Sequence, residues 1–237
     1  MELDIYECKV YVISPGTDQY EHRLNTVMNR LQDAGFKDVE HIKSVEDGNK
    51  TNSLSLTNAA IFDKEANGTK PFIILEDDVQ INTLPTGPIH VPKDASALYL
   101  GVGWWIYPFE YHTLGCGFDI RKMIDCDAIS YDKNLVQIGG MTDAHAILYI
   151  DRKFTNTTAL CIRSHIEIET AHDLILATLQ CYYKVYALKK IMFYQDKQLG
   201  GQENTTKLAW DEEKKLFDVQ FNVEYELKDG LYMVKNC

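Results

Sequence analysis

This chain of 237 residues has few cysteines, and their spacing excludes a structural zinc site. Six cysteines are spread along it, with no Cys-x-x-Cys pair. No run approaches the roughly 18 apolar residues that a membrane span requires, and the first residues lack the basic and apolar regions of a signal peptide. We therefore expect reduced thiols, no membrane span and a cytoplasmic location, in a bacterium or in the host cell of a virus.

Basic side chains are also scarce. Lys and Arg number 24 against 35 Asp and Glu, a net charge of −11, and no local basic patch offsets it, so we expect no nucleic-acid partner. The chain has no G-x-x-x-x-G-K-[ST] phosphate loop, no G-x-G-x-x-G after its first strand and no G-x-S-x-G elbow. The most common nucleotide-binding and hydrolase classes are therefore excluded.

The hydrophobic pattern that is present predicts one packed α/β domain covering residues 1–237. Hydrophobic residues make up 45% of the chain, enough for one core at this length. Strand-like and helix-like patterns alternate, and a βαβαβ order of this kind predicts a parallel sheet flanked by helices. The predicted strands are 9–13, 39–45, 71–75, 97–100, 144–150 and 184–188, and the predicted helices are 20–34, 57–66, beginning with a cap at Thr57, and 171–183.

The C-terminal residues, from about 207 to 237, have a different pattern. Apolar and polar residues alternate over 217–227, Asp229-Gly230 predicts a tight turn, and 231–234 is again strand-like. We expect a β-hairpin extension with one apolar face. That face either covers the sheet or a groove of its own domain, or forms the contact of a homodimer.

Three acidic residues, Glu76, Asp77 and Asp78, directly follow the apolar strand predicted at 71–75. Adjacent carboxylates repel one another, and oxygen ligands of this kind suit Mg²⁺ or Mn²⁺, which usually share their coordination with phosphate oxygens. Open α/β sheets bind ligands at the carboxyl ends of their strands. The run therefore indicates a metal that bridges to a nucleotide diphosphate, with a solvated acidic turn as the alternative.

Several segments, in order along residues 9–206, match the motifs of one known family. Leu75-Glu76-Asp77-Asp78 agrees residue for residue with its Leu-Glu-Asp-Asp signature. Together the segments resemble glycosyltransferase family 25, the group of lipooligosaccharide and collagen galactosyltransferases. The matching segments are Val10–Ser14 with Arg23, Glu40–Gly48, Ile74–Asp78, Met141–Ala146, His172-Asp173, and Lys184–Leu188 through Gln195.

The chain also departs from the family pattern. Thr57-Asn58 stands in place of a Ser-His pair, Ser44 in place of Ala, and Ile147 in place of Tyr. The C-terminal hairpin lies outside the resemblance. The donor sugar of the family is therefore not carried over to this chain.

The resemblance implies a single GT-A-type domain with a mixed, mostly parallel sheet. It implies a glycosyltransferase of glycan biosynthesis that uses Mn²⁺ or Mg²⁺ and a nucleotide-diphosphate sugar, expected to be UDP-linked. The acceptor is a hydroxyl of a glycan or glycoprotein, and transfer proceeds with inversion. A sugar nucleotidyltransferase and a non-catalytic glycan- or nucleotide-binding module stay open as alternatives.

Candidate residues for metal and donor binding follow from this resemblance and from side-chain chemistry. Asp78 and Glu76 form the acid-x-acid pair expected to bind the metal, and His145 is a further ligand unless its role is structural. Asp77 is expected to contact the ribose or the donor sugar, with a solvent-facing side chain as the alternative. The expected nucleotide- and donor-binding residues are Ser14, Arg23, Val45, Asp77 and Trp104.

An inverting transfer needs a carboxylate that takes the acceptor proton. Asp173, at the start of a predicted helix, is the first candidate base, although a helix cap explains an Asp there as well. Asp143, which closely follows Gly139-Gly140, is the reserve. Arg23 suits a phosphate partner, with an ion pair to Glu21 or Asp18 as the alternative.

Overall fold

The computed structural model describes residues 1–102, 129–168 and 171–200, and beyond them the backbone of four short strands. The first half of the chain alternates strands with two long helices. Its elements are β1 (Glu2–Leu3), β2 (Lys9–Ser14), α1 (Asp18–Asp33), β3 (Asp38–Lys43), α2 (Lys50–Lys64), β4 (Phe72–Glu76), β5 (Val79–Ile81), β6 (Ile89–His90) and β7 (Ala97–Tyr99). The predicted βαβαβ order is confirmed in this half.

Helix α2 begins seven residues before the predicted cap at Thr57, so that prediction is wrong. Asn49 is the N-cap, and its Oδ1 accepts hydrogen bonds from the backbone N–H of Thr51 (2.8 Å) and Asn52 (3.3 Å). The first turns of the helix are rich in polar residues, which gives the sequence no apolar stripe to mark them. Thr57 is buried in mid-helix, where its hydroxyl donates to the carbonyl of Ser53 at 2.6 Å.

The second half contains a helix that the sequence pattern does not predict. Its elements are β8 (Ile129–Ser130), β9 (Leu135–Ile138), β10 (Ala146–Tyr149), α3 (Arg152–His165), α4 (His172–Leu179), β11 (Val185–Leu188) and β12 (Phe193–Gln195). In α3 the buried residues Phe154, Thr158 and Ile162 recur every four positions. Threonine and asparagine between them have low intrinsic helix propensity, so packing against the neighbouring helices stabilises this segment more than its local sequence does.

The central sheet has eight strands in the order β3-β2-β4-β10-β7-β11-β9-β8. β2 is parallel to β3 and β4, and β11 is parallel to β7. β10 is antiparallel to β4 and β7, and β9 is antiparallel to β11 and β8. Among the eight strands described, β10 and β9 have the opposite direction to the other six. The prediction of a mixed, mostly parallel sheet is therefore confirmed.

Helices cover both faces of the sheet and make three layers. Alternate residues of β2 point to opposite faces, so Tyr11 joins the core beneath α2, α3 and α4, whereas Val10 and Val12 join the core beneath α1. Both faces of the central strands are therefore buried, which explains their continuous apolar runs. None of the helices described is long and apolar enough to cross a bilayer.

Four short strands are described in the C-terminal part of the chain. β13 (Trp210–Asp211) pairs antiparallel with β14 (Leu216–Phe217), and β15 (Tyr225–Lys228) pairs antiparallel with β16 (Leu231–Val234). Lys228 lies opposite Leu231, which leaves two residues between the strands, the length that a tight hairpin turn requires. The single-domain organisation and the homodimer contact through this hairpin stay predictions.

Candidate functional site

The acidic run lies in the turn that joins β4 to β5. Glu76 is the last residue of β4, and the next two residues form the turn. Asp77 and Asp78 are only 4% and 5% exposed. The alternative of a solvated acidic turn, and that of a solvent-facing Asp77, are therefore wrong for this protein. Burial of adjacent carboxylates is costly unless a positive charge or hydrogen-bond donors compensate it.

The compensating charge in the structure is Arg23 of helix α1. Its Nη2 atom lies 2.6 Å from Asp77 Oδ1 and 3.2 Å from Asp78 Oδ2. The guanidinium thus joins both carboxylates of the turn, and the alternative pairing of Arg23 with Glu21 or Asp18 is wrong. Its Nε atom is buried and has no hydrogen-bond partner among the described residues. One donor of the guanidinium is therefore available for a further acceptor.

A strand distant in sequence completes the surroundings of the acidic turn. β12 pairs antiparallel with β5, which places Gln195 Nε2 at 3.3 Å from Glu76 Oε2. The backbone N–H of Asp196 donates to the carbonyl of Asp78 at 2.6 Å, and the Asp196 carboxylate pairs with Arg30 at 2.9 Å. No local sequence signal predicts these residues at the site, because only the β5–β12 pairing brings them there.

His145 lies next to Glu76 across the β4–β10 ladder and is fully buried. Its carbonyl accepts the backbone N–H of Glu76 at 3.0 Å, and its Nδ1 atom lies 3.1 Å from Asp143 Oδ1. Burial lowers the pKa of the imidazole, but the Asp143 carboxylate and the charges of Glu76 and Asp78 outweigh that effect and raise it to about 8. His145 therefore belongs to the acidic cluster, and its role as a metal ligand stays a prediction.

The two candidate bases are in contact. The backbone N–H of Asp143 donates to Asp173 Oδ2 at 3.3 Å, and Asp173 Oδ1 accepts the N–H of Leu174 at 2.8 Å. Asp143 has a φ of 68°, in the left-handed region that few non-glycine residues occupy. The N-cap of α4 is Ala171, so the explanation of Asp173 as that cap is wrong. Asp173 instead lies in the first turn of the helix, where the helix dipole stabilises a negative side chain.

Four buried side-chain oxygens of this cluster have no hydrogen-bond partner in the part of the chain that the structure describes. They are Asp77 Oδ2, Asp78 Oδ1, Asp143 Oδ2 and Gln195 Oε1. Such orphaned acceptors are rare in folded proteins, and a group of them indicates a ligand that supplies positive charge or hydrogen-bond donors. Within residues 1–102, 129–168 and 171–200, no three His, Cys, Asp or Glu side chains are yet arranged to hold a cation.

Burial is the main cause that raises the pKa values of Glu76 and Asp78. Burial, followed by the charges of Asp78 and Asp143, raises the pKa of Glu76 to about 8. Burial also raises the pKa of Asp78 to about 6, although the positive charge of Arg23 acts in the opposite direction. The folded protein therefore binds protons at this cluster more tightly than the unfolded chain does.

This difference predicts a stability that depends on pH in the metal-free protein. The pKa of Glu76 is raised in the folded state, so its ionisation costs stability, and that cost grows as the pH rises from its ordinary pKa of 4.5 to about 8. We expect Glu76→Gln to stabilise the protein more at pH 8 than at pH 5, measured by urea unfolding in EDTA. An equal change at both pH values would contradict the raised pKa.

The other predicted donor-binding residues lie at the carboxyl ends of β2 and β3. Ser14 is buried, and its carbonyl accepts the backbone N–H of Ser44 at 2.9 Å. Val45 is 37% exposed, and its backbone N–H donates to Thr57 Oγ1 at 2.8 Å. These residues share the sheet edge that carries Glu76. Trp104 lies outside the residues that the structure describes.

Gly101 is a further residue of the cluster that the sequence does not single out. A Cβ atom at this position would lie 2.1 Å from His145 Nε2 and 2.8 Å from the carbonyl oxygen of Phe193. We expect Gly101→Ala to destabilise the protein by about 2–3 kcal/mol, because the imidazole and the backbone have to move. Thermal unfolding measures the effect. The control is Gly87→Ala, since nothing lies within 4 Å of a Cβ at Gly87; equal melting temperatures would contradict the crowding.

Comparisons with known proteins give only distant structural neighbours. No protein-family model matches this chain, and no curated protein matches it. A197 from STIV is 12% identical, covers 93% of this chain and 97% of its own, and superposes with a TM-score of 0.41. A glycosyltransferase involved in the glycosylation of the major capsid of PBCV-1 is 11% identical over 68% of this chain and 63% of its own, with a TM-score of 0.34. These sequence identities and TM-scores are too low to assign a family or a function to this chain.

Proposed function

We propose that this protein is a metal-dependent glycosyltransferase. It transfers a sugar from a nucleotide-diphosphate donor, UDP-linked, to a hydroxyl of a glycan or glycoprotein, with inversion at the sugar carbon. The observation that carries the proposal is the buried pair Asp77-Asp78 beside Glu76 at the carboxyl end of β4, since one oxygen of each aspartate has no hydrogen-bond partner among the described residues. Ligands of α/β sheets bind at this edge, and the same residues carry the resemblance to glycosyltransferase family 25.

The cluster offers carboxylate oxygens, the ligands that a hard divalent cation such as Mn²⁺ or Mg²⁺ prefers. Asp78 Oδ1 is buried and has no partner among the described residues, and Glu76 ends β4 two residues before it, so we propose these two side chains as metal ligands. His145 Nε2 is also unpartnered, but it faces Gly101, and we therefore assign His145 to the support of Asp143 instead. Bound there, a cation supplies Lewis-acid stabilisation of the charge that develops on the diphosphate.

The nucleotide sugar is proposed to bind along the carboxyl ends of β2, β3 and β4. Ser14 and Val45 lie at two of these strand ends, and Arg23 reaches the third from α1. The orphaned Oδ2 of Asp77 faces no protein donor among the residues described. It suits a hydroxyl of the ribose or of the donor sugar, because a sugar hydroxyl donates the hydrogen bond that this oxygen lacks.

The geometry favours Asp143 over Asp173 as the base that takes the acceptor proton. Both oxygens of Asp173 already accept backbone hydrogen bonds, from Asp143 and Leu174. Asp143 is held by His145 through Oδ1 and keeps Oδ2 unpartnered. Its left-handed backbone is the kind of constrained conformation that clusters at functional sites. We therefore propose that Asp143 accepts the proton and that Asp173 positions it.

A panel assay tests this function directly. The protein is incubated with UDP-, GDP- and ADP-linked sugars and Mn²⁺, and nucleotide release is followed with and without glycan acceptors. Metal-dependent release of a nucleoside diphosphate that rises with one acceptor supports the proposal. Pyrophosphate-dependent formation of a nucleoside triphosphate identifies a sugar nucleotidyltransferase instead. Saturable binding of a donor without turnover for any acceptor identifies a binding module.

A further inference from the structure

We propose that Arg23 is a resident counter-ion of Asp77 and Asp78, and that its positive charge competes with a divalent cation at Asp78. When the cation binds, the guanidinium leaves the aspartates and binds the diphosphate of the donor. The inference rests on the proposed function and adds to it a residue that sets cation affinity and couples it to the nucleotide. It follows from the contacts of Arg23 and from the orphaned atoms around it.

The guanidinium and a cation share one carboxylate, that of Asp78, because Arg23 contacts its Oδ2 and its Oδ1 is the proposed metal ligand. Arg23 Nη2 lies 2.6 Å from Asp77 Oδ1 and 3.2 Å from Asp78 Oδ2. Both carboxylates are nearly fully buried, so the ion pair is screened little by water and its attraction is strong. A cation bound to Asp78 brings a second positive charge close to the guanidinium, and the two repel each other.

Arg23 keeps one hydrogen-bond donor that its contacts with the aspartates do not use. Its Nε atom is buried without a hydrogen-bond partner among the described residues. Arginine and carboxylate frequently pair through two parallel hydrogen bonds. Arg23 instead reaches both aspartates through the single atom Nη2. A phosphate oxygen satisfies the remaining donor, because guanidinium and phosphate match in charge and geometry.

Two further residues border the guanidinium besides the aspartates. Tyr20 lies one turn earlier on α1, with its ring centroid 5.1 Å from the Arg23 guanidinium carbon, a distance at which cation–π attraction operates. Gly200 faces the Arg23 side chain, and a Cβ at that position would come within 3.4 Å of Nη1. An aromatic face and a residue without a side chain therefore border the guanidinium on its other sides.

Isothermal titration with MnCl₂ alone and with UDP in the presence of Mn²⁺ tests this inference. In Arg23→Gln we expect Mn²⁺ to bind about tenfold more tightly than in the wild type, since one charge-assisted contact no longer competes. We expect UDP to bind about tenfold more weakly, because the phosphate loses its guanidinium. Opposite changes in the two affinities are the signature, since simple destabilisation weakens both.

Arg163→Gln is the matched control. Arg163 of α3 pairs with the exposed Asp63 of α2, so its loss removes an arginine–aspartate ion pair that is not part of the acidic cluster. Both affinities are expected to stay at the wild-type values. Arg23→Lys keeps the charge but loses the fork, and we expect each affinity to change in the same direction as in Arg23→Gln, by about threefold.

Unchanged or weaker Mn²⁺ binding in both Arg23 variants overturns the inference. If sugar transfer is found in the panel assay at the same time, the proposed function stands and only the role of Arg23 falls. Tighter Mn²⁺ binding in Arg23→Gln with no transfer from any donor supports the inference and contradicts the transferase. Failure of the wild type and both variants to bind Mn²⁺ overturns the inference together with the metal ligands.

Discussion

Asp78→Asn is expected to abolish metal-dependent nucleotide binding. The substitution keeps the size of the side chain but removes the charge of a carboxylate whose Oδ1 is buried and unpartnered. Even residues that support metal ligands indirectly change metal affinity by about 10- to 100-fold, so the loss of a ligand is expected to exceed about 100-fold. Titration of the variant with MnCl₂ and then with UDP measures both affinities.

Two comparisons separate this effect from a general loss of structure. Asp33→Asn, at an exposed position at the end of α1, changes the net charge by the same amount and is expected to bind like the wild type. Thermal unfolding in EDTA shows whether Asp78→Asn is folded. A folded Asp78→Asn protein that still binds Mn²⁺ and UDP normally would remove Asp78 from the metal site.

Asp143→Asn is expected to keep donor binding and lose sugar transfer. General-base catalysis contributes about 10²- to 10⁴-fold to a rate, so we expect kcat to fall by that factor while KM for the donor stays near its wild-type value. Asn tolerates the left-handed conformation that Asp143 adopts, with its φ of 68°. The backbone of the loop is therefore preserved, and single-turnover kinetics report the chemical step.

Asp173→Asn distinguishes the two candidate bases. Its amide oxygen can still accept the backbone N–H of Asp143, which in the wild type lies 3.3 Å from Asp173 Oδ2. If Asp143 is the base, Asp173→Asn reduces kcat much less than Asp143→Asn does. The reverse order of the two effects would make Asp173 the base, and equal small effects would exclude both residues from proton transfer.

The parts of the fold that local pattern predicts are those with strong local signals. β2, β4 and β11 are short apolar runs bounded by turn residues, and their strands were found where the pattern predicts them. α1 has an apolar stripe through Val27 and Leu31, the periodicity on which helix prediction depends. In these segments the local preference of the chain and the demands of the core agree.

Local pattern does not predict the segments whose sequence signals oppose the observed structure or are absent. α3 contains threonines and an asparagine whose local preferences oppose a helix, and only its packing against the neighbouring helices overcomes them. The start of α2 depends on the Asn49 cap, whereas Thr57, which the sequence pattern favours as the cap, lies in the middle of the helix. Gln195 and Asp196 join the site solely through the pairing of β12 with β5.

The sequence by itself determined that three carboxylates follow a buried strand and that this strand belongs to an α/β sheet. Adjacent positions and an apolar run are local properties, so they can be read without coordinates. Only the tertiary structure decided what surrounds those carboxylates. The burial of Asp77 and Asp78 to 4–5% exposure and their contacts with Arg23 arise where α1 meets the turn between β4 and β5. His145 and Gln195 arrive from strands far apart in the chain, and long-range strand pairing of that kind leaves no trace in local periodicity.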